Sequence, residues 1–228
     1  MPIAVLMSSP VSNAVEEYQG AYSGGFSGDE VGIWIAVIND HGDVRLVLWS
    51  YDAESVDGGE EISIDNGGIL DGYTVVCNRI INGYVAESGS LIAKWLEQSA
   101  EGLLEGLREN NVSQFVGVYS GWFNGDESGE WDLTIHADGS ASCTLYRKAG
   151  NIAMKGCVNS SGTIILYDDN GWGMNGTILK RKIDGTWTYP AEEKKGRVFQ
   201  EEEDDDEPIG CFISIANDAS FRFDERTR

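Results

Sequence analysis

Two pairs of adjacent carboxylates, Asp29-Glu30 and Asp126-Glu127, stand in matching glycine-flanked segments of this 228-residue chain. Paired carboxylates can serve as general acid and base when their surroundings separate their pKa values. Acids in a glycine-rich turn instead point into solvent and ionise normally, and the spacing here does not match a calcium-binding loop. We therefore predict no catalytic and no metal-binding role for these residues, and we take the four acids as candidate contacts for a binding partner.

The histidines and the sequence motifs also argue against an enzyme. His41 and His136 occupy non-equivalent positions, and no dedicated zinc site is visible around either of them. The chain contains no Gly-x-Ser-x-Gly elbow, no phosphate-binding loop, no dinucleotide fingerprint and no HExxH motif. A catalytic site would have to be built from scattered residues, so we expect a non-enzymatic protein without a cofactor.

Two of the four cysteines, Cys143 and Cys157, flank a predicted turn at residues 149–151. A hairpin centred on Gly150 would place them opposite each other, whereas a two-residue loop would separate them. The two cysteines could form a disulfide, or they could be unbonded, small apolar strand residues. We favour the unbonded interpretation.

The carboxylate pairs belong to an internal repeat, in which residues 20–42 recur without a gap at residues 117–139. The identical positions are mainly glycine, aromatic and aliphatic, which specify backbone shape and core rather than chemistry. Six of them are predicted structural residues: Tyr22, Phe26, Trp34, Tyr119, Phe123 and Trp131. Short alternating segments separated by turn residues predict antiparallel meanders that curl into barrels. The fold class is therefore mainly all-β, with two homologous meander or barrel-like repeats.

The first repeat carries more apolar surface than the second. Residues 33–38 and 46–49 are apolar on both faces, so something must cover the outer face. Residues 91–109 place apolar side chains at helical spacing, which predicts an amphipathic connecting helix packed on the first repeat. The second repeat or another subunit is the alternative cover.

Each repeat opens a strand with Gly-x-Trp, at residues 32–34 and 129–131. This motif resembles the first-strand signature of the calycin barrels, which comprise lipocalins, fatty-acid-binding proteins and avidins. The resemblance implies a barrel whose tryptophan packs at the closed end, often beneath a basic residue of the last strand. Arg197 would be that residue in the second repeat and Lys94 in the first. The resemblance also implies binding of a small apolar ligand.

Two further tryptophans, Trp122 and Trp172, are candidate contact residues. Trp122 replaces Gly25 of the first repeat and alternates away from the predicted core residues, so its side chain is expected to point outward. Trp172 lies in a predicted turn at residues 168–173. Exposed tryptophans are enriched at binding surfaces, although a neighbouring repeat or a terminal strand could instead cover Trp122.

The formal net charge is −22, with a pI near 4.2. Such a field repels nucleic acid and anionic membranes and attracts basic partners, so we expect a protein partner, preferably a basic one. No apolar run approaches the roughly 20 residues that span a bilayer, and no basic start marks a signal peptide. With few cysteines, a cytoplasmic location is expected, and export of a form without its signal is the alternative. Homo-oligomer formation stays open.

These features divide the chain into six predicted segments. They are an N-terminal segment (1–17), a first β-repeat (18–90), a connecting helix (91–110), a second β-repeat (115–200), an acidic loop (201–207), and a C-terminal strand and tail (208–228). We predict a non-enzymatic acidic interaction protein, immunity- or inhibitor-like toward a basic partner. The alternative is a calycin-like binder of a small apolar ligand, with a cavity lined by Tyr119, Phe123 and Trp131 and their first-repeat counterparts.

Overall fold

The computed structural model describes residues 14–200, which form two closed antiparallel β-barrels of eight strands each. The first barrel contains β1 (Gly20–Gly28), β2 (Gly32–Ile38), β3 (Asp43–Ser50), β4 (Ser55–Ile64), β5 (Ile69–Tyr73), β6 (Ile80–Val85), β7 (Ser90–Glu97) and β8 (Ala100–Arg108). The second contains β9 (Gly117–Gly125), β10 (Gly129–Ile135), β11 (Ser140–Arg147), β12 (Ile152–Val158), β13 (Thr163–Tyr167), β14 (Gly173–Leu179), β15 (Lys182–Tyr189) and β16 (Lys194–Phe199). Short 3₁₀ turns cover Ala14–Glu17, Val112–Phe115 and Pro190–Glu192. The all-β class and the two barrel-like repeats are confirmed.

Four fully buried tryptophans fill the two barrels in the same way. Trp34 of β2 and Trp131 of β10 occupy matched positions, as do Trp95 of β7 and Trp187 of β15. Each indole N–H donates to a backbone carbonyl of the first strand of its own barrel, at 2.9 to 3.3 Å. The interior is therefore occupied by side chains, as is usual for eight-stranded barrels of this size.

The predicted connecting helix over residues 91–110 is wrong, because this segment forms β7 and β8 of the first barrel. Its side chains alternate between buried and exposed along β7, which is the period of a strand. Gly102 and Gly106, which would weaken a helix, leave room for the tryptophans. A Cβ would lie 2.3 Å from the indole nitrogen of Trp95 at the first position and 2.5 Å from Trp34 at the second.

The second barrel covers the apolar outer face of the first. The side chains that meet there are buried: Ile35, Val37, Val47, Trp49 and Val56 from the first barrel, and Cys157, Ile165 and Tyr167 from the second. Gly58 lies flat against the Tyr167 ring, where a Cβ would come within 2.5 Å of a ring carbon. The alternative that the second repeat covers this face is confirmed.

Polar contacts flank this apolar interface. Lys155 of β12 binds Glu60 of β4 at 2.9 Å, and Arg45 of β3 binds the same carboxylate. Burial raises the pKa of Glu60, but the hydrogen bonds from Lys155 and Arg45 outweigh it, so the pKa lies below its usual value. Elsewhere the Glu109 carboxylate accepts hydrogen bonds from the hydroxyls of Ser23 and Ser160, one in each barrel.

The cysteines Cys143 and Cys157 are free thiols. Cys143 pairs with Met154 across the β11–β12 hairpin and faces the interior of the second barrel, whereas Cys157 faces the interface between barrels. Because the hairpin register separates the two cysteines, they belong to different cores. Burial raises the pKa of Cys143 to about 12, which keeps its thiol protonated.

Candidate interaction surface

The first acid of each predicted carboxylate pair ties the turn that contains it to the start of the last strand at one end of its barrel. An Asp29 oxygen accepts the backbone N–H of Glu101 at 2.9 Å, and an Asp126 oxygen accepts the backbone N–H of Lys195 at 2.9 Å. These bonds link the turn after the first strand to the start of the last strand, because Glu101 lies in β8 and Lys195 in β16. Asp29 and Asp126 thus hold the barrel end in shape.

The second acid of each pair is bound by arginine or lysine. Glu30 forms an ion pair with Arg79 at 2.9 Å. Glu127 forms ion pairs with Arg147 at 2.6 Å and with Lys194 at 2.9 Å. Burial raises the pKa of Glu127, but the hydrogen bonds from Lys194 and Arg147 outweigh it, so the pKa lies below its usual value. The four acids therefore lie in the ion-pair and hydrogen-bond networks that close the barrels.

Sequence reasoning missed the centre of the network in the first barrel, which is Arg79. Its guanidinium is buried, stacks on the Trp95 ring at 4.8 Å, and binds Glu97 at 2.9 Å. Buried Asp57 lies 3.6 Å from it and accepts the hydroxyl of Thr74 at 2.7 Å. Burial raises the pKa of Asp57 and outweighs the hydrogen bond from Thr74 and the charge of Arg79, which both lower it. Arg79 is the only Lys or Arg among residues 72–84, and this isolated basic residue was a signal in the sequence that we did not use.

A cysteine, Cys77, lies beside this network. The nearby Cys77 backbone N–H donates to Asp57 at 3.0 Å, and burial raises the pKa of the Cys77 thiol to about 12. A thiol held protonated in this way is a poor nucleophile. Within residues 14–200, no group of three or more His, Cys, Asp or Glu is placed to hold a metal ion.

Trp172, a candidate contact residue, is buried at the matching end of the second barrel. Its indole stacks between Trp187 at 5.2 Å and Tyr189 at 4.8 Å, and the Arg147 guanidinium lies over it at 4.5 Å. The stacked rings close this barrel end, as Arg79 closes the end of the first barrel. Trp172 therefore belongs to the core.

Trp122 remains at the surface, as its alternation predicts, with 43% of the residue exposed. It lies on β9 beside a cleft of about 660 Å³. The six predicted structural residues lie in the barrel interiors: Tyr22, Phe26, Trp34, Tyr119, Phe123 and Trp131. His41 and His136 are exposed.

Arg197 and Lys94, which the calycin resemblance implies beneath the barrel tryptophans, lie elsewhere. Arg197 is exposed and binds Asp184 at 2.9 Å on the outside of the second barrel, and Lys94 is exposed on β7. In each case alternation along the strand points the side chain outward, away from the tryptophans inside. A last-strand arginine, Arg108, does contact an interior ring in the first barrel, but the ring is that of Tyr22.

The outer face of β5 to β8 carries a group of exposed large apolar side chains, which we call the β5–β8 face. Its apolar members are between 39% and 63% exposed: Ile69, Tyr73, Ile80, Tyr84, Leu96, Leu103 and Leu107. The strand register places them in continuous rows, for example Tyr73, Ile80, Leu96 and then Glu101. Large adjacent apolar side chains left open on a folded surface are typical of an interaction site.

Carboxylates are interspersed with these apolar side chains. Asp71 lies beside Asn82 on the middle row, and Glu105 ends the row that begins at Ile69 and Tyr84. The one basic side chain on these rows is Lys94. The β5–β8 face is thus apolar, with Asp71 within it and an acidic rim formed by Glu101 and Glu105 on β8, which complements an apolar surface with basic residues.

The negative charge is unevenly divided between the two barrels. Residues 14–110 contain 18 Asp and Glu against 4 Lys and Arg, whereas residues 111–200 contain 10 against 9. The first barrel therefore produces most of the negative field of the described chain. That barrel also carries the β5–β8 face.

Comparisons with known proteins leave this surface without a functional precedent. No family model matches the sequence, and no curated protein matches it. A crystal structure of a protein of unknown function from the DUF3598 family of Nostoc punctiforme is similar at 9% identity and a TM-score of 0.28. The alignment covers 84% of this chain and 98% of that one, and at such a score it carries no argument. No helix within residues 14–200 is long and apolar enough to cross a membrane.

Proposed function

We propose that this chain is a non-enzymatic binding protein whose β5–β8 face docks a basic protein. The observation that carries the proposal is the set of seven exposed apolar side chains on one face of the acidic barrel. Apolar side chains at the centre of an interface supply most of the affinity, and a charged rim supplies steering and specificity. An immunity or inhibitor protein directed at a basic target would use this arrangement.

Two occupants other than a basic partner have less support. A second copy of this chain would bring two acidic barrels together, so electrostatic repulsion opposes it. A small apolar ligand in a barrel would have to displace Trp34 and Trp95, or Trp131 and Trp187, which are fully buried. The filled interiors therefore weigh against the calycin-like function.

The proposal can be tested by calorimetric titration with a short synthetic peptide of alternating lysine and leucine. The test variant is Ile80→Thr, Tyr84→Thr and Leu96→Thr combined, and its matched control keeps the face apolar with Ile80→Val, Tyr84→Phe and Leu96→Met. We expect the threonine variant to weaken binding at least about tenfold, because each side chain contributes apolar burial. The control should bind as the unmodified protein does.

The same titration can be repeated at high salt and with a peptide of opposite charge. Raising the salt to about 1 M shortens the Debye length to about 3 Å, so binding to an acidic rim should weaken. A peptide of alternating glutamate and leucine should not bind. Equal binding of both peptides, or of both protein variants, would contradict the proposal. Sedimentation of a dimer that the threonine variant disrupts would identify the second copy as the occupant instead.

A further inference from the structure

Trp122 lies exposed on β9 of the second barrel, where it borders the cleft of about 660 Å³. Its backbone carbonyl accepts the indole N–H of Trp131 at 3.0 Å, which fixes the Trp122 backbone to the barrel wall. The aligned residue of the first repeat is Gly25, so a barrel of this kind closes without a ring at this position. A large aromatic side chain left half-exposed beside a cleft is typical of a binding site.

One wall of this cleft is acidic. Glu130 of β10 pairs directly with Trp122 across the strands, and Asp132 follows two residues later on the same face. Both side chains are exposed. The aligned residues of the first repeat, Ile33 and Ile35, pack in the joint between the barrels. The same strand positions are therefore apolar where they join the barrels and charged where they border the cleft.

The other wall is the basic hairpin turn between β14 and β15, where Lys180, Arg181 and Lys182 line the cleft. The Lys180 and Arg181 backbones are left-handed, with φ angles of 51° and 64°. Tight hairpins usually give this conformation to asparagine and glycine. The corresponding turn of the first barrel, residues 86–89, contains neither lysine nor arginine. Long basic side chains held in an unfavourable backbone conformation point to a function for the charges at this turn.

The charges of the two walls balance without touching. The Arg181 guanidinium lies over the Tyr119 ring at 5.8 Å, as Arg108 lies over Tyr22 in the first barrel, so Arg181 closes a barrel end. Two lysines and two carboxylates then remain along the cleft. Within residues 14–200, no ion pair joins them, so the cleft keeps the opposite charges apart. A group that both donates and accepts hydrogen bonds would bridge the two walls.

We propose that this cleft binds a neutral saccharide whose ring stacks on Trp122. A sugar hydroxyl donates to a carboxylate and accepts from an ammonium group, so it can bond to both walls at once. The C–H face of a sugar ring is apolar and fits against the face of the indole. The volume of the cleft lies within the range of about 300–1,000 Å³ that is usual for small-molecule sites. Balanced walls give no net attraction for an anion or a cation, and their polarity disfavours an apolar ligand.

The saccharide cleft and the β5–β8 face lie on different barrels. The cleft is lined by residues of the second barrel and by Gln200, which follows it, whereas the β5–β8 face belongs to the first barrel. Binding at one site therefore needs no side chain of the other. A chain with both sites would hold a protein and a saccharide at the same time, and either proposal can fail alone.

Saccharide binding is tested by titrating the isotopically labelled full-length protein with neutral disaccharides of glucose, galactose, mannose and N-acetylglucosamine. We expect at least one of them to shift the amides of residues 118–124, 130–132 and 180–182. Trp122→Thr should weaken that binding at least about fivefold, because the stacking surface is lost. The matched control is Tyr84→Thr, which removes a ring of similar exposure, 45% against 43%, from the first barrel and should bind as before. Unchanged amide shifts outside the cleft show that each variant is folded.

Salt and charged competitors test whether the ligand is neutral. Raising the salt to about 1 M shortens the Debye length to about 3 Å, yet it should change the affinity for the sugar less than about twofold, because no ion pair forms. Free leucine, which is a zwitterion, and inorganic phosphate should not displace the sugar. The proposal would be overturned if no disaccharide bound, if Trp122→Thr and Tyr84→Thr weakened binding equally, or if leucine or phosphate took its place.

Discussion

The two barrels match inside and differ outside. Trp34 and Trp95 fill the first as Trp131 and Trp187 fill the second, with the same indole-to-carbonyl bonds. The outer faces of the corresponding strands have different chemistry. The β5–β8 face is apolar and acidic, whereas β14 to β16 expose one large apolar side chain, Leu179, among polar and charged residues: Thr177, Asp184, Thr186, Lys195 and Arg197. This difference between a shared core and a changed surface is the reason for proposing that binding takes place on the outer face of the first barrel.

The largest expected effect tests whether the interiors are equivalent. Trp95→Ala and Trp187→Ala should each lower the free energy of unfolding by about 3–5 kcal/mol, because each leaves a large cavity in a closed barrel. Urea titration followed by circular dichroism measures the loss. A loss below about 1 kcal/mol for one variant, beside a full loss for the other, would show that the interiors are not equivalent.

An intermediate effect tests the joint between the barrels. Gly58→Ala puts a methyl group 2.5 Å from the Tyr167 ring, so it should lower the free energy of unfolding by about 1–3 kcal/mol. Tyr167→Leu removes the ring and should make the same glycine substitution less costly, as a double-mutant cycle would measure. Strict additivity of the two substitutions would mean that this contact does not hold the barrels together.

The smallest expected effect is a pH dependence at the edge of the same joint. Because the pKa of Glu60 is lowered in the folded protein, its stabilising contribution is present above the unfolded value near 4.5 and is lost as the pH falls through the folded pKa. Glu60→Gln should therefore lower the free energy of unfolding at pH 7 by at most about 1 kcal/mol, since solvent screens this partly exposed pair. The difference should vanish in acid, and a difference that grew as the pH fell would contradict the assignment.

Much of the fold could be predicted from the repeat, because Gly-x-Trp and the turn glycines dictate local backbone shape. The connecting helix failed for a physical reason. Trp95, Leu96, Leu103 and Leu107 fall at helical spacing by coincidence, although the first two face opposite sides of one strand. Gly102 pairs with Trp95 across the β7–β8 hairpin and with Gly28 on β1, and the second partner is too distant in sequence for local spacing to reveal it.

The candidate surface was harder to predict than the fold. Ile80, Tyr84 and Leu96 have the composition of core residues, and sequence alone does not tell which apolar face another element covers. The apolar surplus was correctly located in the first repeat, yet the part identified in β2 and β3 is the part that the second barrel buries. Arg79 was missed because its partners come from three separate segments of the chain: Glu30, then Asp57, then Trp95 with Glu97.

The most direct test of the β5–β8 face is to map the binding of the lysine–leucine peptide on the isotopically labelled protein by amide chemical-shift changes. If the β5–β8 face is the binding surface, the shifts will concentrate on β5 to β8 and will disappear in the Ile80→Thr, Tyr84→Thr, Leu96→Thr variant. The strands of the second barrel will stay unperturbed. Shifts centred on the second barrel, or shifts on β5 to β8 that survive in the threonine variant, would contradict the claim that the first barrel carries the binding surface.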